Sequence, residues 1–175
     1  MHSQVKVRCC VYRHGAYYVE TDISFPWLPG ADYQQGGILL AAYNAMQPDM
    51  ENFIRLSVMY DNGNLVVYGR YEADGIVQDE QSAPIALSGN QKITLRINRY
   101  GDQYLLQYSF NPRADGKHYT DLMGFTVPFP VSYAGLYAIN GSASAPSIPV
   151  DFARIMVGFH PPIPSLPAIR SLLLH

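Results

Sequence analysis

Apolar and polar residues alternate one by one along most of this chain. In QVKVRCCVY, Val5, Val7, Cys9 and Val11 fall on one side and Lys6 and Arg8 on the other. YVETDISF sets Val19, Thr21, Ile23 and Phe25 against Glu20, Asp22 and Ser24, and NFIRLSVMY sets Ile54, Leu56, Val58 and Tyr60 against Arg55 and Ser57. A period of two is the pattern of a strand with one face in a core. Asp61-Asn62-Gly63-Asn64 follows at once, and Asn-Gly accepts the positive φ angles of a tight hairpin turn. The return strand, LVVYGRYE, alternates Leu65, Val67, Gly69 and Tyr71 with Val66, Tyr68, Arg70 and Glu72.

The pattern repeats downstream. QKITLRINRY puts Ile93, Leu95 and Ile97 opposite Thr94, Arg96 and Asn98. Gly101-Asp102 then turns the chain into QYLLQYSF, with Tyr104, Leu106, Tyr108 and Phe110 expected on one face. YTDLMGFTV, VSYAGLYAIN and VDFARIMVGF complete the series. Short strands punctuated by Gly, Pro, Asn and Asp predict an all-β fold, an antiparallel two-sheet β-sandwich or barrel. No amphipathic helix precedes the tail. The expected organisation is one β-sandwich domain over residues 1–159 and a Pro-rich C-terminal tail over residues 160–175.

One stretch departs from alternation, YQQGGILLAAYN, where glycines run into the apolar Ile38-Leu39-Leu40-Ala41-Ala42. A phosphate-cradling loop needs a helix and a Lys-Ser/Thr pair after its glycines, and neither follows. The run is also short of the ~18 residues of a membrane span. It predicts a strand entering the core, with Gly36-Gly37 permitting close backbone approach or a bulge.

Composition narrows the partners. Charged residues are only 15% of the chain and there are 14 tyrosines, so polarity rests on hydroxyls and amides. Such a surface suits neutral polar ligands, sugars above all, and protein contacts. The net charge of -2, with basic residues scattered, excludes a nucleic-acid partner, which needs a dense basic footprint. No segment predicts a membrane partner. MHSQVKVRCC has no apolar core of signal-peptide length, so the expectation is an intracellular protein or one whose export segment lies upstream, and the compartment stays open. Cys9 and Cys10 are adjacent and point to opposite faces of a strand, which predicts two thiols and no zinc site.

The ordered set YQQGGILL, NFIRLSVMYDNG, ITLRINRYGDQYLLQYSFNPRADGKHYTDLMGF, VSYAGLYAIN and VDFARIMV resembles the β-sandwich domain at the C-terminus of many bacterial and fungal β-xylosidases. That domain belongs to the concanavalin A-like lectin/glucanase superfamily, which also includes stand-alone domains of uncharacterised function. The similarity runs from about Ala16 to Val157. Gly37 stands where the family usually has alanine, and Tyr119 stands where a Trp usually follows the turn. What the resemblance implies is a jelly-roll sandwich with one concave sheet. Function is implied less closely, because the fold hosts lectins, glucanases and passive accessory domains alike.

Catalysis is not expected. Glycoside hydrolysis needs two facing carboxylates, and the Glu-x-Asp-x-x-Glu pattern of the superfamily's glucanases is missing. YEADGIVQDE (Glu72, Asp74, Asp79, Glu80) reads as a hairpin exit and loop, and Glu20 with Asp22 as a solvent-facing strand edge. In the xylosidases resembled, the catalytic acids sit on a separate propeller domain. The histidines show no triad signature. No cofactor is expected, with calcium the alternative, since lectins of this superfamily often use it. Asp61-Asn62-Gly63-Asn64 and Asn111…Asp115 offer oxygens.

The expected activity is non-catalytic, lectin-like binding of a glycan or oligosaccharide. The candidate ligand residues are Trp27, Tyr33, Gln35, Arg55, Tyr68, Arg70 and Glu72, with Gln34 and Ser57 beside them. They combine stacking rings with planar donors and an acceptor. The same tyrosines and pairs also serve a sheet structurally. The alternatives are an accessory domain that binds a protein partner or forms a homo-oligomer, and a small glycan-active hydrolase. A groove with an exposed aromatic marks the first reading, a flat apolar patch the second, and facing carboxylates the third.

Overall fold

The computed structural model describes residues 9–10, 15–44, 47–110, 118–142 and 144–160. The elements are β1 (Cys9–Cys10), β2 (Tyr17–Ser24), β3 (Gln34–Asn44), β4 (Gln47–Asp61), β5 (Asn64–Ala73), β6 (Ile76–Pro84), β7 (Ile93–Tyr100), β8 (Gln103–Ser109), β9 (Thr120–Thr126), β10 (Tyr133–Asn140) and β11 (Asp151–Phe159). No described residue is helical. Two antiparallel sheets form, one in the order β1-β10-β3-β4-β5-β6 and one in the order β11-β2-β7-β8-β9. The fold is an unclosed all-β sandwich. The rest of QVKVRCCVY, the Asn111…Asp115 turn and the tail from residue 161 lie outside the described residues.

The alternation does what it predicts. Ile38, Leu40, Ile54, Leu56, Val58 and Val67 of the first sheet meet Val19, Ile23, Ile93, Leu95, Ile97 and Leu106 of the second in one core, all fully buried. Each such side chain contributes about 1.5–3 kcal/mol over its exposed state. The Asn62-Gly63 turn has the predicted positive φ angles, 47° and 87°. Gly36-Gly37 is a close approach: a Cβ on Gly37 would stand 2.0 Å from the Leu56 carbonyl oxygen. The β3–β4 bulge falls later, between Ala41 and Tyr43.

Four expectations need correction. The segment after Glu72 is no loop but a second hairpin, because Asp74 and Gly75 take φ angles of 53° and 72° and send β6 back along β5. Glu20 and Asp22 are no solvent-facing edge. Their strand β2 lies between β11 and β7, and both side chains are buried. Phe110 lies past the end of β8 and is exposed, its ring edge-on to Tyr108. Tyr60, near the end of β4, is only half-buried.

Candidate functional site

Strand register brings distant residues into rows across the outer face of the first sheet. One row runs Glu80, Arg70, Arg55, Leu39, Gly135 across β6, β5, β4, β3 and β10. The next runs Ser82, Tyr68, Ser57, Gly37, Tyr137. Glu72 flanks the first row opposite Phe53, and Gln35 flanks the second opposite Met59. Five of the seven predicted residues therefore share one face: Gln35, Arg55, Tyr68, Arg70 and Glu72.

Most of that face is already organised. Ser57 is 0% exposed and donates to Gln35 Oε1 at 3.2 Å. Tyr137 donates to the same oxygen at 3.0 Å, and burial raises its phenol above the ordinary value, so it stays a donor. Arg70 pairs with Glu72 along β5 and reaches Glu80 at 3.7 Å across the hairpin, while Tyr68 donates to Glu80.

Arg55 is the exception. Its guanidinium lies 5.2 Å from the Tyr68 ring centroid and 5.9 Å from that of Phe53. Among the described residues it makes no ion pair, and its Nε is buried without a hydrogen-bond partner. The Nε of Arg70, next to it in register, is likewise buried and unpartnered. A buried N–H without an acceptor is costly, about 1–3 kcal/mol.

The remaining sequence candidates sit elsewhere. Tyr33 is 60% exposed at the rim, held by its N–H to the Tyr60 carbonyl at 2.8 Å. Trp27 is 69% exposed on the loop between β2 and β3. Gln34 points the other way. Buried, it accepts from the N–H groups of Gly30 and Ala31 and donates to the Pro146 carbonyl at 2.7 Å, clasping two loops. Tyr68 is no free stacking platform, since Arg55 lies over its ring. Asn62 and Asn64 spend side-chain amides on Asp61 and on the turn backbone.

The outer face of the second sheet holds a cluster that sequence reasoning missed as such. Glu20, 0% exposed, receives Arg96 Nε at 2.8 Å, Arg154 Nη2 at 2.7 Å and the Tyr119 hydroxyl. Arg154 also binds Asp22 at 2.9 Å, and Thr94 donates to Asp22 at 2.8 Å. Arg96 is held between the rings of Tyr18 and Tyr119, 4.3 and 4.1 Å from their centroids. Burial first, then the bond to Glu20, raises the Tyr119 phenol well above its ordinary value. The signal available was the outward alternation of Glu20, Asp22, Thr94 and Arg96.

No family model and no curated protein matches the sequence. The likeness lies in solved structures. A functionally unknown protein from Saccharomyces cerevisiae superposes with a TM-score of 0.67 at 12% identity, over 91% of this chain and 75% of that one. A xylan β-1,4-xylosidase from Bacillus halodurans C-125 gives a TM-score of 0.66 at 18% identity, over 90% of this chain and 30% of that one. The chain thus spans under a third of that enzyme's length. A legume lectin-like domain from Entamoeba histolytica gives a TM-score of 0.63 at 11% identity, over 91% of this chain and 84% of that one. These likenesses show the fold alone, an antiparallel two-sheet β-sandwich.

Proposed function

We propose that this chain is a non-catalytic carbohydrate-binding domain whose ligand lies on the outer face of the first sheet. One observation carries the reading. Arg55 and Arg70 stand side by side with both Nε–H groups buried and, among the described residues, unpartnered. The two guanidiniums are half-buried on this face, and planar donors suit sugar hydroxyls and carboxylates. Leu39 and Ser82, partly or fully exposed, border the two rows, and Tyr33 offers a stacking ring at the rim. The fold supports the reading, since a legume lectin-like domain shares it. Against catalysis, Glu72 is bound to Arg70, Glu80 to Tyr68, Glu20 to two arginines and Asp22 to Arg154. These pairings favour a structural role for the four over a pair of carboxylates facing across a cleft.

The test is saturable binding to a panel of plant, fungal and bacterial glycans, for the wild type and for Arg70→Ala and Tyr33→Ala. Binding that weakens in both variants with the fold intact places the ligand here. EDTA is expected to leave binding unchanged, and its loss on chelation would make calcium part of the site. No binding to any glycan sinks the reading.

A second reading, self-association, rests on β6. Its outer edge pairs with no described strand, and Ile76 and Val77 are exposed. An open edge is a template for a second copy. Sedimentation decides it: a monomer at high concentration removes the homo-oligomer, and a dimer broken by Val77→Lys establishes it.

A further inference from the structure

Resting on the glycan-binding reading above, we propose that the ligand is an acidic glycan and that Arg55 receives its sugar carboxylate. The two outer faces of the sandwich supply the inference. Each holds an arginine against two aromatic rings. On the second sheet, Arg96 lies between Tyr18 and Tyr119 and its fork is filled by Glu20. On the first sheet, Arg55 lies against Tyr68 and Phe53, and among the described residues no carboxylate reaches it. The same clamp is built twice, with the acid supplied once.

The charges of the first face are also sorted. Along the row Glu80, Arg70, Arg55, Leu39, Gly135, both carboxylates lie on the Arg70 side: Glu80 ends the row, and Glu72 follows Arg70 on β5. Beyond Arg55, Leu39 and Gly135 carry no charge. An anion arriving from that side meets the guanidinium before it meets Glu72 or Glu80. A half-buried cation without a counter-charge is costly, and a hydrogen-bonded carboxylate relieves that cost. The planar fork matches a carboxylate through two parallel N–H···O bonds, which distinguishes it from a lysine point charge. The Tyr68 and Phe53 rings lie against the guanidinium, so less freedom remains to be lost on binding than for an open side chain.

The experiment titrates the wild type by calorimetry with oligosaccharides of galacturonate, glucuronate, mannuronate and N-acetylneuraminate, each beside its methyl ester. Esterification keeps the sugar and removes the charge. The expected result is saturable binding of at least one acid, at least tenfold weaker for its ester, and weakened by added salt. Arg55→Gln is expected to bind the acid no better than the ester, and Arg55→Lys to fall between. If the variants fail to fold, the acid–ester comparison on the wild type still decides. Esters or neutral glycans bound as tightly as the acids would overturn the carboxylate assignment and leave the glycan reading standing. So would sulfated oligosaccharides preferred over carboxylated ones. Failure of every glycan, acidic and neutral, would overturn both.

Discussion

The two outer faces of this sandwich solve the same problem to different degrees. On the second sheet every charge of the cluster has its complement, with Glu20 and Asp22 held by Arg96, Arg154, Thr94 and Tyr119. Among the described residues of the first sheet Arg70 is paired, but Arg55 is not, and two guanidinium Nε–H groups are buried without acceptors. A closed network holds a fold together. A network left open by one partner is where a ligand can bind, because the cost of the gap has already been met by the rest of the fold.

That contrast breaks most visibly at Glu20. Glu20→Gln leaves Arg96 and Arg154 without their shared anion, and removing one partner of a buried ion network costs about 3–5 kcal/mol. The figure belongs at the low end here, because Arg154 is 40% exposed at its side chain and screened by water. Denaturant unfolding should show a loss near 3 kcal/mol, and a loss below 1 kcal/mol would mean the network is not structural.

Gly37→Ala should come next. Its Cβ would meet the Leu56 carbonyl and Ser57 Cα, which is backbone and cannot rotate away. Overpacking of this kind costs about 1–3 kcal/mol, and glycan binding should suffer with it because Ser57 lies on the ligand face. A variant as stable as the wild type would show that β3 and β4 can separate more than the structure allows.

The buried phenols set an alkaline limit. Burial raises Tyr17, Tyr71, Tyr104, Tyr119 and Tyr137 above the ordinary value of 10.0. The folded state therefore holds protons that the unfolded chain releases. Their contribution is fully present below about pH 10 and is lost as pH rises beyond it. A melting temperature that stays flat to pH 11 would contradict the burial described. At the acid side the effect is smaller. His160, stacked on Tyr100, is lowered from 6.5 first by burial and then by Arg96. Its contribution is present above about pH 6.5 and lost as pH falls through its folded value. His160→Phe should flatten the stability profile between pH 7 and 5.

The smallest expected effect is the most telling. Arg55→Gln removes a cation–π contact worth about 0.5–1 kcal/mol and also removes an uncompensated charge. Its stability should stay within about 1 kcal/mol of the wild type, set against the loss at Glu20. A large destabilisation would mean that Arg55 is structural after all.

The sequence carried the sandwich and most of one face. Alternation separated Ile54, Leu56 and Val58 from Arg55 and Ser57, and the Asn62-Gly63 turn fixed the register that sets Arg55 opposite Arg70. Strand β6 was hidden because IVQDEQSAP is polar and exposed almost throughout, so it has no buried face for alternation to report. The Asp74-Gly75 pair, a hairpin signal in itself, was the clue. The burial of Glu20 was illegible for a different reason. Its outward position follows from alternation, but Arg96 and Arg154 reach it from 76 and 134 residues away. Composition cannot report such non-local pairing. Tyr68 looked like a stacking ring for the same reason: that Arg55 would cover it depends on a diagonal contact between strands. Trp27 and Tyr33 sit on a loop, where side-chain direction has no period to read.

The most direct test of the account is amide NMR of the labelled protein titrated with the tightest-binding acidic oligosaccharide. The account predicts shifts that saturate together on Leu39, Arg55, Ser57, Tyr68 and Arg70, with Glu20, Asp22 and Arg96 unmoved. Shifts centred on Glu20 and Arg96, or on neither face, would contradict it.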